Sequence, residues 1–246
     1  MKYYDIPDII AAFNPRLASR VCVSSVSTDC LEYIFWTCEE FGLSATVRFH
    51  SLYLLNQYLA QLDPSTKEVP VLLKVLTCIQ IATKLHETGC LHVSDIVNII
   101  NRQKPASFPE VSSKDIIDSE YEVLRVLQYN TSIPSVYPLL EILNYVCHDQ
   151  LPTSSHYLSS TSILVLVCVL HHDIINSGFL QDIPLVIIAS AVFYASLMIL
   201  DNGHATELFQ DFMSSTEIKE ISDQVVTHDH IHLQELATKI VKICLD

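Results

Sequence analysis

The chain has 246 residues, half of them hydrophobic and only 17% charged, which is length and apolar content enough for a substantial buried core. That composition excludes a disordered tail and a coiled coil. The 28 Asp and Glu stand against 14 Lys and Arg, and a formal net charge of −14 argues against a direct grip on nucleic acid, where counterion release needs a basic surface.

Residues 1–27 read as a mixed N-terminal segment. Pro7 and Pro15 limit its helices, and Asp5 and Asp8 break any apolar run of the kind a signal peptide needs. From Thr28 the pattern turns helical: Leu31, Ile34, Phe35, Cys38 and Phe41 recur at spacings of three and four, and Gly42 supplies a stop. A second helix places Val47, His50, Leu54 and Tyr58 on one face and ends in the turn at Asp63-Pro64. The third is predicted from Pro70 to His86. Its apolar residues cover most of the circumference and leave only a narrow polar strip of Lys74, Thr77, Gln80 and Lys84, as suits the centre of a bundle. Ser94 is the expected cap of a short fourth helix carrying Ile96, Val97, Ile99 and Ile100. Residues 101–113, with two prolines, read as a loop. Ser112 and Asp115 then resemble a capping box that opens a helix reaching about Tyr129.

A turn at Ser132–Pro134 leads into an amphipathic helix with Val136, Leu139, Leu140, Leu143 and Val146. The best boundary is 148–156, which gives a first domain over 28–147, a linker, and a second domain over 157–246. Residues 162–170 are too short to cross a membrane. Residues 183–200 carry no charge over 18 positions, the lower limit for a span. They are flanked by Asp182 and Asp201 with no Lys or Arg to anchor them, and we read them as a buried core helix. Helices near 204–213, 215–226 and 231–245 complete the chain. With only 4 Gly, hairpin turns are scarce and no strand is convincing. The expectation is an all-α protein whose two nearly circumferential apolar helices, 70–86 and 183–200, each sit at the centre of a five-helix unit.

Chemistry-bearing patterns are few. The eight cysteines contain no CxxC pair and read as reduced, buried thiols. His228, His230 and His232, with His171, His172 and Asp173, do not converge as zinc ligands should, so no metal or other cofactor is expected. No nucleophile motif is present, and the chain is not expected to be an enzyme. Glu120 stands out because its helical spacing puts it with Ile116, Leu124 and Leu127, where an unpaired carboxylate is costly. It either makes an internal ion pair, with Lys84 the obvious candidate, or that pair frames a surface on which another protein docks.

These residues also match a family. Leu73–Glu87 (LKVLTCIQIATKLHE) resembles the third helix of a cyclin box, and Ser119–Asn130 (SEYEVLRVLQYN), followed by Ile133-Pro134, resembles the fifth. Glu32–Leu59 fits the first two helices, and the later half is similar to a divergent second box. The fold so implied is a cyclin fold of two five-helix bundles, the second divergent. Within cyclins, VLTCIQIATKL and DSEYEVLRVLQYN are most similar to the cyclin N-terminal-domain-containing proteins that promote meiotic crossovers, which include the nematode-type crossover-site factors.

The resemblance implies a regulatory subunit rather than a catalyst. In cyclins the lysine and glutamate matching Lys84 and Glu120 bridge helices three and five and hold the groove for the mobile helix of a cyclin-dependent kinase. By the same carry-over Leu85, Glu87, Leu124 and Tyr129 line the kinase-facing surface. The implied partners are a cyclin-dependent kinase and meiotic recombination factors, with no direct nucleic-acid or membrane contact, and the implied location is the nucleus, at recombination sites on meiotic chromosomes. One departure matters. The Met-Arg-x-x-Leu-x-x-Trp-like pattern of cell-cycle cyclins, a docking patch for substrate motifs, is replaced by Val26, Ser27 and Thr28 through Tyr33, and Trp36 is expected in the core. That loss keeps a second reading open, a cyclin-fold scaffold that recruits recombination factors without activating a kinase.

Overall fold

The computed structural model describes residues 26–62, 71–87, 91–103, 110–132, 135–150, 155–175, 179–180, 183–200, 204–214, 221, 223 and 230–245. Among them are ten helices and no strand. The chain divides into two compact units at Pro134.

The first unit holds α1 (Thr28–Glu40), α2 (Ala45–Ala60), α3 (Val71–His86), α4 (Val93–Gln103) and α5 (Ser113–Val126). Local chemistry sets their ends. Ser27 caps α1 by accepting from the Cys30 N–H, and Ser44 caps α2 by accepting from the Val47 N–H. Between them Gly42 adopts φ +61°, which lets the Leu43 N–H reach back to the Cys38 carbonyl at 2.8 Å and stop α1. The capping box at α5 forms in both directions, with Ser112 N–H on Asp115 and Asp115 N–H on Ser112. Helix α4 starts at Val93, one residue before the expected cap Ser94, with the Asp95 and Ile96 N–H groups on the His92 carbonyl. Asn101, expected in a loop, lies in α4 and clamps Val111 through two 2.9 Å bonds.

The apolar surface of α3 decides the packing. Every residue from Lys74 to Thr83 is buried, and α3 packs against α1, α2, α4 and α5. Ile34, Cys38, Val47, Leu52, Leu55 and Ile116 are fully buried in the same unit, as are Leu76 and Ile79 of α3 itself. Truncating Leu76 or Ile79 to alanine therefore removes methyl groups from a site that cannot collapse, and each is expected to cost about 2–5 kcal/mol. The check is the urea midpoint at constant m-value; a midpoint that does not move contradicts a core position.

The second unit repeats the plan with α6 (Val136–Gln150), α7 (Ser155–Ile175), α8 (Leu185–Leu200), α9 (Ala205–Met213) and α10 (His230–Leu245). Its third helix is again central: Leu185 to Leu197 is buried throughout, and α8 packs against α6, α7, α9 and α10. Phe209 and Phe212 of α9 pack against Phe193 of α8, and Tyr194 stacks on Phe209 with ring centroids 4.5 Å apart. Buried Asp173 accepts the Leu180 N–H at 2.7 Å, and Ser162 of α7 donates to Asn144 of α6.

Three expectations meet a different arrangement. Helix α6, placed with the first domain on sequence, packs on α7 and α8 through Leu139, Leu140, Leu143 and Val146, so the break falls at Pro134 rather than at 148–156. The apolar run at 162–170 lies inside a 21-residue helix. Tyr157–Ile175 of that helix is long and apolar enough to cross a membrane by length and composition, with mean hydropathy 1.7 and 39% of the segment buried. Helix α5 ends at Val126, short of Tyr129. Of the expected helix at 215–226 only Ile221, which is buried, and Asp223 are among the described residues, both helical, and the side chains of His228, His230 and His232 lie outside them.

Candidate functional site

The C-terminal turn of α3 delivers Lys84, Leu85, His86 and Glu87 to one edge of the first unit, and α5 with its following turn delivers Glu120, Leu124 and Tyr129. Lys84 and Glu120 meet: Lys84 Nζ donates to both carboxylate oxygens, at 2.6 and 2.7 Å. Lys84 is 40% exposed and Glu120 19%, so this is a shoulder pair within reach of water. The buried stripe of α5 is Ile116, Ser119, Val123 and Leu127; Glu120 and half-buried Leu124 flank it instead of lying on it. A pair in that position contributes little to folding but presents a fixed dipole at the surface.

Three more ties fix the same edge. Glu87 accepts the Ser44 N–H at 3.1 Å, and the Ser44 side chain and backbone together hold the Glu87 carboxyl below its ordinary value. A carboxylate at the first turn of α2 also suits the helix dipole. His50 of α2 donates through Nε2 to the Thr131 carbonyl at 2.8 Å, and its Nδ1 pairs with Nε2 of His86. That chain joins α2, the end of α3 and the segment after Tyr129. Past Val126 the backbone closes by the Tyr129 N–H to the Leu124 carbonyl at 2.7 Å, with Gln128 and Tyr129 both left-handed, at φ 53° and 58°. The closure leaves Tyr129 60% exposed, and Tyr121 of α5 is exposed as well. Leu85, 49% exposed, is the apolar residue next to the ion pair.

Burial, then the neighbouring His86 charge, pushes the His50 imidazole down to about 4 against the opposing Thr131 bond. Burial also lowers His86. The folded state thus prefers neutral rings, while the unfolded chain takes up protons below about 6.5. Stability from this clasp is present above pH 6.5 and is lost as the pH falls toward 4. Urea titrations at pH 7.5 and 5 should show an acid-induced loss of about 2 kcal/mol in the native chain that shrinks in His50→Gln. An equal loss in both proteins excludes the clasp as its source.

A second constellation lies deeper, and the sequence does not single it out. Lys74 is 3% exposed and its Nζ donates to Glu122 at 2.6 Å and Ser119 Oγ at 3.1 Å; Tyr58 donates to the other Glu122 oxygen at 2.7 Å. Ser119 also pairs with Thr77 at 2.9 Å, and the Tyr58 ring lies 5.5 Å from the Lys74 ammonium. The signal that could reveal it is a set of complementary polar residues at spacings of three, Lys74 with Thr77 on α3 and Ser119 with Glu122 on α5. On α1, Trp36 is 44% exposed and packs its ring near Tyr33, at a centroid distance of 5.8 Å, so it is not a core residue. Among the described residues no group of three or more His, Cys, Asp or Glu side chains could hold a metal ion.

Residues 20–132 match the family model for the cyclin N-terminal domain. The X-ray structure of a viral cyclin from herpesvirus saimiri superposes with a TM-score of 0.62 over 93% of this chain and 100% of that one, at 15% identity. The protein has a cyclin fold. No curated protein matches the chain with significant similarity. The family match ends at residue 132, just before the break at Pro134, so the cyclin box comprises α1 to α5. The likeness to the viral cyclin extends over both units, in keeping with a second helical unit in which the described helices pack around α8. Cyclin boxes are regulatory, non-catalytic domains, and the edge built from Lys84, Leu85, Glu120, Leu124 and Tyr129 belongs to the matched region.

Proposed function

We propose that this cyclin-fold protein is the regulatory subunit of a cyclin-dependent kinase and docks it across the edge where α3 and α5 end. The observation that carries the reading is the two-pronged Lys84–Glu120 pair, held at the surface beside exposed Leu85 and Tyr129 and braced by the His50–His86 and Glu87–Ser44 ties. A rigid edge with apolar contacts around a fixed charge pair suits a partner helix that must be seated in one orientation. Leu85, Leu124 and Tyr129 supply contact area and Lys84 with Glu120 the register. Glu87 serves the edge from behind by capping α2. The similarity of VLTCIQIATKL and DSEYEVLRVLQYN to crossover-promoting cyclin-like proteins supports action at recombination sites on meiotic chromosomes in the nucleus, with recombination factors as further partners. The net charge of −14 fits recruitment through protein contacts rather than DNA.

The experiment is co-expression with a panel of cyclin-dependent kinases, purification of any complex, and a phosphoryl-transfer assay beside a Lys84→Ala, Glu120→Ala double variant. Stimulation that the double variant loses supports the reading. A folded chain that captures no kinase overturns it in favour of the scaffold reading, which the Tyr33–Trp36 surface of α1 favours, since the substrate-docking pattern of cell-cycle cyclins is missing there.

A further inference from the structure

Solvated helix faces in the second unit are charged: α9 turns Glu207 and Asp211 to water, and α10 turns Glu235, Lys239 and Lys242. The outward face of α7 is not. Its inner side, with Ser162, Leu166, Val169 and Asp173, is fully buried. On the opposite side Tyr157, Thr161, Leu164, Cys168, His171 and Ile175 recur at alternating spacings of four and three, within about 40° of one line along the helix. None of the six is buried, and Tyr157, Leu164 and Ile175 are 73, 66 and 59% exposed. An uncharged seam of that period on the outside of a helix is the pattern by which one helix packs against another.

We propose that this seam is a self-association surface, on which α7 of a second copy of the chain packs antiparallel about a two-fold axis level with residue 166. The alternating spacing reads the same from either end. The two-fold therefore sets Tyr157 opposite the partner's Ile175, Thr161 opposite the partner's His171, and Leu164 opposite the partner's Cys168. Each pairing is complementary: an aromatic ring on an aliphatic side chain, a hydroxyl on an imidazole, a large residue on a small one. A parallel arrangement would set like against like and bring two imidazoles together in the seam. Charge points to the same face. Two copies at −14 each repel across most of their surfaces, whereas Ser155 to His172 holds no Lys, Arg, Asp or Glu. A lipid surface fits less well, because no Lys or Arg occurs between Arg125 and Lys219 to hold the helix at anionic headgroups. The 19 residues from Tyr157 to Ile175 make a strip about 28 Å long and about 10 Å wide, which buries on the order of 1,000 Å² across the pair, the lower end for a specific interface. The dimer is accordingly weak and reversible, and it carries two cyclin boxes in one particle.

The test is sedimentation equilibrium of the reduced full-length chain from about 1 to 200 µM, at low and high salt. The expected result is a monomer–dimer equilibrium that salt strengthens, since screening relieves the repulsion while the seam itself holds no charge. Leu164→Glu, at a largely exposed position, should melt like the native chain and raise the dissociation constant at least about 30-fold. Leu164→Cys reads the register: mild oxidation should give a covalent dimer whose bridge maps to the partner's Cys168, and Cys168→Ser should remove it. A chain that stays monomeric throughout, a dimer that salt weakens or Leu164→Glu leaves intact, or a bridge that maps elsewhere would each overturn the proposal. So would a monomer that floats with phosphatidylcholine–phosphatidylserine vesicles, which would assign the face to lipid. The seam lies outside the matched residues 20–132, so the outcome is independent of whether a kinase docks on the first unit.

Discussion

Replacing Glu122 with alanine is expected to destabilise the cyclin box by about 3 kcal/mol, while Lys74→Met stays within about 1 kcal/mol of the native protein. The asymmetry follows from which charge is buried. Lys74 is 3% exposed and Glu122 43%, so removing the carboxylate strands an ammonium in the core, whereas removing the ammonium leaves a carboxylate that water can reach. The partial exposure of Glu122 is also why the expected loss sits at the low end for a broken buried pair. The neutral neighbours reinforce the contrast. Ser119 and Thr77 keep their mutual bond when Lys74 becomes methionine, and Tyr58 keeps Glu122 as its acceptor, so no buried polar group is orphaned. Urea denaturation of the two variants decides it; a greater cost for Lys74→Met would mean the charge itself stabilises the box.

The same pair has a pH signature. Burial alone would raise the Glu122 carboxyl, but the Lys74 ammonium and the Tyr58 hydroxyl outweigh it and hold it below its ordinary value. A carboxyl that is more acidic when folded contributes stability that is present above its unfolded value, near 4.5, and is lost as the pH falls through the folded one. The His50 clasp weakens at a higher pH, so acid loosens the box in two stages, first at the α2–α3 edge and then between α3 and α5.

The residues that made this fold legible are those whose pattern has one physical solution. A helix apolar on nearly every side must be central, and both such helices are. Ser112 with Asp115 and Gly42 mark helix ends because few other residues satisfy the free backbone groups there. Lys84 could be paired with Glu120 on sequence because Glu120 shares the helical spacing of Ile116 and Leu124 and Lys84 offers a cation on the polar strip of α3, although the structure sets Glu120 beside the buried stripe. Lys74 could not be placed in the same way: it lies on the same strip of α3 as Lys84, yet one is buried and the other half open, a difference fixed by what α5 lays across each. His50 reads as one more member of the inner face of α2, because its partners His86 and Thr131 come from distant segments. The expected end of α5 overshoots since Gln128 and Tyr129 carry no glycine-like warning of their left-handed backbone. The boundary moves to Pro134 because the stripe of α6 has no label saying which core it joins.

Reversing the exposed charge pair gives the sharpest view of the docking edge. Lys84→Glu alone sets two carboxylates against each other at the edge, and a proposed kinase partner seated there should bind at least 100-fold more weakly, about 3 kcal/mol. Adding Glu120→Lys restores an ion pair with reversed polarity. If the pair only braces α3 against α5, the double reversal recovers binding; if the kinase reads the polarity, binding stays lost although the fold is restored. Leu85→Asp separates these outcomes from a general loss of structure. Its side chain is half exposed, so the substitution should change the melting temperature little, yet it puts an unpaired charge into any apolar contact made there. A Leu85→Asp protein that melts like the native chain and still binds and stimulates the kinase would move the docking surface elsewhere on the box. One that melts normally and no longer binds would tie recognition to the end of α3. Isothermal titration of the three variants, each beside its thermal melt, distinguishes a brace from a reader because only the reader fails to regain affinity when its own fold is repaired.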